Sequence, residues 1–150
     1  MIRRTLKRSE YEATPHEAWN AYVNLLAMES PEELTDTQRY AHFAFWYDSE
    51  LQNGGHLQYF ENHGTQYLDA TLHALQVVGA DSQHAVLSSA AARCTAQSWG
   101  MIQTVEEYVA TARDGEFDDL DEAYFDCQPT IPRLLEFYFD SHFGEFVELV

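Results

Sequence analysis

Apolar residues recur along this chain at the three- and four-residue spacing of amphipathic helices, and the gaps between runs hold helix-capping and helix-stopping residues. Thr14-Pro15-His16-Glu17 joins a capping Thr to Pro at the first helical position and Glu at the third; Ala18, Trp19, Tyr22, Val23, Leu25 and Leu26 then follow at helical spacing as far as Ser30-Pro31. Thr35-Asp36-Thr37-Gln38 repeats this capping pattern. It opens an aromatic-rich helix through Tyr40, Ala41, Phe45, Trp46 and Tyr47, with Asn53-Gly54-Gly55 as its natural C-cap.

His56 to Asn62 reads as a short helix stopped by Gly64. Gln66 to Val78 reads as a longer one, with Leu68, Leu72, Leu75 and Val78 on one face and Gly79 behind it. Asp81 is placed to cap a helix through Val86, Leu87, Ala90, Ala91 and Cys94. Thr104-Val105-Glu106-Glu107 forms a further capping box, for a helix ending at Gly115. From Gly115 to Gln128 the chain is acidic and reads as irregular or briefly helical, and Pro132 suits the first turn of a last helix carrying Leu134, Leu135, Tyr138 and Phe139. No segment alternates in the manner of a strand. The expected fold is all-α: one compact bundle of about six to seven helices with short turns, spanning 14–150, behind a flexible basic arm at 1–13.

Composition narrows the function. Hydrophobic content of 45%, with 14% aromatic, is enough for a core and too high for an acidic disordered tail. The net charge is -17, and half of the cations (Arg3, Arg4, Lys7 and Arg8) lie in the first eight residues. From Ser9 onward four arginines face all 25 acids, a balance of -21. Direct binding to nucleic acid is not expected, because phosphates are held by Lys and Arg. Nor is a membrane role, since no run approaches the roughly 18 to 20 apolar residues of a spanning helix; the basic start leads into Ser9-Glu10-Tyr11-Glu12 rather than an apolar signal core, and a cytoplasmic location is expected. Cys94 and Cys127 lack the spacing of a disulfide framework or a zinc site and read as buried reduced thiols.

Enzyme signatures are missing: there is no phosphate-binding glycine loop, nucleophile elbow or His-Glu-x-x-His, and Lys7 is the only lysine. A carboxylate-bridged metal pair in a helical bundle uses Glu-x-x-His on two helices, and the chain has none; Asp81-x-x-His84 and His142-x-x-Glu145 are the nearest approaches. Neither a metal nor a cofactor is expected.

The acids are more informative. Asp114, Glu116, Asp118, Asp119, Asp121, Glu122 and Asp126 crowd one segment, interleaved with Phe117, Leu120, Tyr124 and Phe125 that would pin it to the body. Carboxylates on an anchored helix keep fixed spacings, about 5 to 6 Å between residues three or four apart, near that of successive phosphates on a nucleic-acid strand. Such crowding is self-repulsive and is relieved by a cationic partner. With Glu106 and Glu107 these acids form the candidate partner-binding surface.

The segment Trp46-Tyr47-Asp48-Ser49-Glu50-Leu51-Gln52-Asn53-Gly54-Gly55-His56-Leu57-Gln58-Tyr59-Phe60-Glu61-Asn62-His63-Gly64 resembles the hallmark of a bacterial family of small acidic helical proteins. Ala74 to Ala80 looks like that family's following helix and Gly-Ala turn, and Asp119 to Phe125 like its C-terminal element; the resemblance spans roughly Thr35 to Val147. The family's characterised member is a DNA mimic that occupies the DNA-binding surface of a transcription factor. The resemblance therefore implies a non-enzymatic protein whose partner is a basic DNA-binding protein. Within the motif, Gly54 or Gly55 supplies a left-handed turn and Gly64 a stop. Asn53, Gln58 and Asn62 have two open roles: bonding helix ends, or forming a polar pocket with His56, His63 and Tyr59.

Two other functions fit the same sequence: an immunity or antitoxin protein that blocks a basic toxin, and a small-molecule or metal enzyme built on the Asn-Gly-Gly/Gln-Tyr region. A homodimer is compatible with the chain. Phe143 and Phe146 are placed either to dock a second copy or to close the core.

Overall fold

The computed structural model describes residues 1–97 and 115–150. Among these residues the order is β1 (Arg4–Leu6), α1 (Arg8–Ala13), α2 (His16–Met28), a single 3-10 turn (Pro31–Glu33), α3 (Asp36–His63), α4 (Leu68–Val77), α5 (Asp81–Gln97), α6 (Asp118–Asp126), α7 (Ile131–Phe146) and β2 (Val147–Leu149). The fold is all-α, as the apolar spacing predicts. The helix expected between Thr104 and Gly115 lies outside the described residues, as do Glu106, Glu107, Asp114 and the Cys94 side chain. No described helix is long and apolar enough to cross a membrane.

Helix α3 organises the rest, packing against α2, α4, α6 and α7, while α5 lies on α4 and α6. Its start is the capping box expected at Thr35: the Thr35 hydroxyl accepts the Gln38 backbone N–H at 3.3 Å and the Gln38 side-chain oxygen accepts the Thr35 backbone N–H at 3.0 Å. The similar pattern at Thr14 makes no such bond, and Pro15 is already helical. Gln38 does more than cap. Its side chain is fully buried, and its amide N–H group donates to the carbonyls of Ile2 at 2.6 Å and Glu145 at 2.7 Å. One amide thus ties the start of α3 to both ends of the chain.

Those ends correct the sequence reading of residues 1–13 as a loose arm. Arg4–Leu6 pairs in parallel with Val147–Leu149, with Arg4 opposite Val147 and Leu6 opposite Leu149, and the Arg8 N–H extends the ladder to the Val150 carbonyl at 2.8 Å. Arg3 pairs with Glu148 at 3.0 Å and Arg4 with Glu29 at 2.7 Å. Three-residue strands are too short to show alternation, and their partner lies at the far end of the chain, so no local signal announces them.

Behind this clasp α2 and α7 meet through rings. Tyr22 stacks on Phe139 at 4.5 Å and meets Phe146 edge-on at 4.7 Å, while Tyr11 of α1 covers Phe143 at 5.6 Å. Phe146 is fully buried and closes the core, while Phe143 is half-buried and packs against its edge. Two substitutions test the Gln38 junction. Thr35→Ala should cost about 1 kcal/mol, the usual value of a cap. Gln38→Glu, which has the same shape but loses both amide donors, should cost about 2–4 kcal/mol by leaving the two carbonyls facing an acceptor. Urea denaturation at neutral pH measures both, and equal losses would contradict the wider role of Gln38.

Candidate functional site

The family-like motif occupies the middle of α3, where the helix is broken rather than ended. At Gly55 the backbone takes φ 74° and ψ -167°, a region open in practice only to glycine, and helical geometry resumes at once. The break aims the His56 N–H away from the helix axis, and the Asp121 carboxylate of α6 accepts it at 2.9 Å. The same carboxylate oxygen accepts the His56 Nδ1–H at 2.7 Å, which leaves Nε2 to accept the Tyr47 hydroxyl at 2.7 Å. His56 and Tyr47 are both fully buried. A Cβ on Gly55 would stand 2.3 Å from the Asp121 carboxylate, so the absence of a side chain there makes the room that the carboxylate fills.

An Asp-His-hydroxyl chain has the outline of a nucleophilic triad, but its chemistry here is static. Burial pushes the Tyr47 phenol far above its ordinary pKa, so it stays protonated, and neither Tyr47 nor His56 is open to a substrate. The chain works as a strut between α3 and α6.

The motif's amides form a second cluster. Gln58 and Asn62 donate to one oxygen of the buried Glu50 carboxylate, at 2.8 and 2.9 Å, and His63 Nε2 lies 3.2 Å from the other. They therefore converge on an acid instead of bonding helix ends. Tyr59 is buried and donates to Thr71 Oγ1 at 3.3 Å, Asn53 and Gly54 are exposed, and Gly64 caps α3 with φ 56°. Glu50 and Asp121 were legible only as acids. Glu50 stands on the face of α3 that its apolar neighbours bury, the one signal that sets it apart from a surface acid.

Helix α6 carries the described part of the acidic segment. Phe117 is 2% and Tyr124 5% exposed, and the Tyr124 hydroxyl donates to Asp48. These two pin the helix as expected, whereas Phe125 is 51% exposed. Asp121, expected among the partner-facing acids, is turned into the body by His56. Asp119 binds Arg93 through two bonds of 2.8 and 2.9 Å, and these bonds hold its carboxyl down at about 2. That pair's contribution to stability is full above the ordinary carboxylate range and is lost as pH falls toward 2; exposure keeps it small. Glu116 is half-buried. Asp118, Glu122 and Asp126 are exposed and four residues apart, so they form one row along the outer face of α6, at about 5–6 Å intervals.

The Gly55 break is the most sensitive point. Gly55→Ala should cost about 3 kcal/mol or more, from strain and from displacing Asp121. Asp121→Asn keeps one acceptor and should cost less, about 1–2 kcal/mol. Chemical denaturation of both variants ranks them, and a Gly55→Ala loss smaller than that of Asp121→Asn would contradict the strut.

None of the curated proteins and none of the solved structures matches the chain. The DMP19-like protein family matches residues 32–142 of the 150, from the turn before α3 to near the end of α7, and the chain belongs to that family.

Proposed function

We propose that this protein is a DNA mimic: a non-enzymatic acidic protein that occupies the DNA-binding surface of a basic protein, such as a transcription factor. The observation that carries this reading is the row Asp118, Glu122 and Asp126, held on a helix whose opposite side is fastened by Phe117, Tyr124 and the Asp121–His56 strut. Phosphates on a duplex are also held at fixed intervals, so a cationic groove can meet both in the same register. Membership of the DMP19-like family, a DNA-mimic family, supports the same reading.

The fate of the cations adds to it. Arg3, Arg4, Lys7, Arg39, Arg93 and Arg133 each pair with an acid of their own chain. With so many cations already paired, the surplus carboxylates need charge from elsewhere, and a basic partner supplies it. Glu106, Glu107 and Asp114 are proposed members of the same face on sequence grounds alone.

The test immobilises the full chain and captures proteins from a bacterial lysate at low salt. DNA-binding proteins should be enriched and should be released by duplex DNA and by raised salt. Neutralising the row with D118N, E122Q and D126N together should weaken capture roughly tenfold while circular dichroism stays unchanged, a modest sum for three exposed charges. Capture that duplex DNA does not compete, or that survives the triple substitution, would overturn the proposal.

A further inference from the structure

Between the end of α2, both halves of α3 and the start of α4 lies a cavity of about 240 Å³. It is smaller than the roughly 300–1,000 Å³ of sites that take drug-sized ligands, and it suits one side-chain head group. Phe43, Trp46, Tyr59 and Tyr67 wall it, with the imidazoles of His42 and His63 between them. The rings stand at mixed angles: Phe43 is 5.3 Å from Tyr67 at 37°, His42 5.4 Å from Phe43 at 81°, and His63 5.4 Å from Tyr59 at 32°. Such rings form a cage of π faces.

The hydrogen bonding of the lining selects the ligand. The indole N–H of Trp46 and the Nδ1–H of His42 both donate to the Leu26 carbonyl, at 3.1 and 3.0 Å. The Tyr67 hydroxyl donates to Glu32 at 2.9 Å, and the Tyr59 hydroxyl to Thr71. These ring donors are thus committed to protein acceptors. Burial lowers the His42 pKa and keeps that ring neutral, which leaves its Nε2 as a lone pair. Glu29 also lines the cavity, its carboxylate already paired with Arg4 at 2.7 Å, and the exposed Glu32 carboxylate, oriented by Tyr67 and Ser30, lies beside it. Aromatic faces, acceptors and nearby carboxylates reject an anion. They favour a cation that brings its own N–H donors.

We infer that this cavity is a binding site for a guanidinium group, whose flat, weakly hydrated cation stacks on rings while its edge donates to His42 Nε2 and toward Glu32. Its source is an arginine side chain of the basic partner; that assignment of source rests on the DNA-mimic reading, whereas the cage stands on the lining chemistry.

The full chain labelled with 5-fluorotryptophan gives one fluorine signal for each of its three tryptophans, and W46F assigns that of Trp46. Titration with N-acetyl-arginine methylamide at constant ionic strength should move the Trp46 signal saturably, with half-saturation on the order of 1–10 mM. The neutral citrulline analogue should bind about tenfold more weakly, and Phe43→Leu should weaken the arginine response similarly. An unmoved Trp46 signal, or an equal response to citrulline, overturns the cage even if duplex-competed capture persists. Arginine binding in a protein that captures no DNA-binding protein would keep the cage and overturn the partner as its source.

Discussion

One carboxylate holds the outer helix to the centre of this protein. Asp121 enters the space that Gly55 leaves open and takes two hydrogen bonds from a single residue, His56, whose other ring nitrogen is held by Tyr47. The arrangement is mutually dependent. Without the break the His56 N–H would stay within the helix; without the carboxylate the break would leave that N–H unpaired beside a buried imidazole, at a cost of about 1–3 kcal/mol for each lost bond. Because α6 is only nine residues long and dense in like charge, it has little helical stability of its own. Docking through Asp121, Phe117 and Tyr124 supplies what its sequence withholds.

That dependence separates what the sequence discloses from what it hides. Thr35 with Gln38, Gly64 and the apolar series of the fourth helix are local signals, decided within a few residues, and the structure follows them. The clasp of Arg4–Leu6 on Val147–Leu149 spans nearly the whole chain and rests on backbone pairing, which leaves no compositional mark. Asp121 shows the same limit inside the candidate site. Its neighbours Asp119 and Glu122 have the same chemistry, and only a histidine 65 positions away decides that Asp121 points inward. Glu50 is similar: the amides around it are conspicuous in the motif, but the acid they serve is recognisable only from the buried face it shares.

Charge is arranged with the same economy. Arg3 and Arg4, half of the cations that composition alone suggests as a free basic arm, are spent on Glu148 and Glu29 and help to close the two ends of the chain. Arg93 is spent on Asp119 and on the Glu116 carbonyl, binding α5 to the start of α6. Each internal pair removes one carboxylate from the external field and fixes the backbone that carries the others. The acids facing water are therefore those left over after the fold has used what it needs.

A rigid row has a cost that a flexible tail avoids. A disordered polyanion relaxes by spreading its charges, whereas Asp118, Glu122 and Asp126 cannot move apart without undoing the docking of α6. Their mutual repulsion is thus built into the free protein and is relieved by a cation placed against the row. An aromatic cage complements this, because long-range attraction between exposed charges is screened within about 10 Å at ordinary salt, whereas a guanidinium stacked among rings is held by short contacts that salt barely reaches. Rate and reach would come from the acids, and persistence from the cage. The Glu50 cluster ties the motif to the cavity: its carboxylate holds His63 at the cavity wall and takes hydrogen bonds from Gln58 and Asn62 on the half of α3 that follows the Gly55 break.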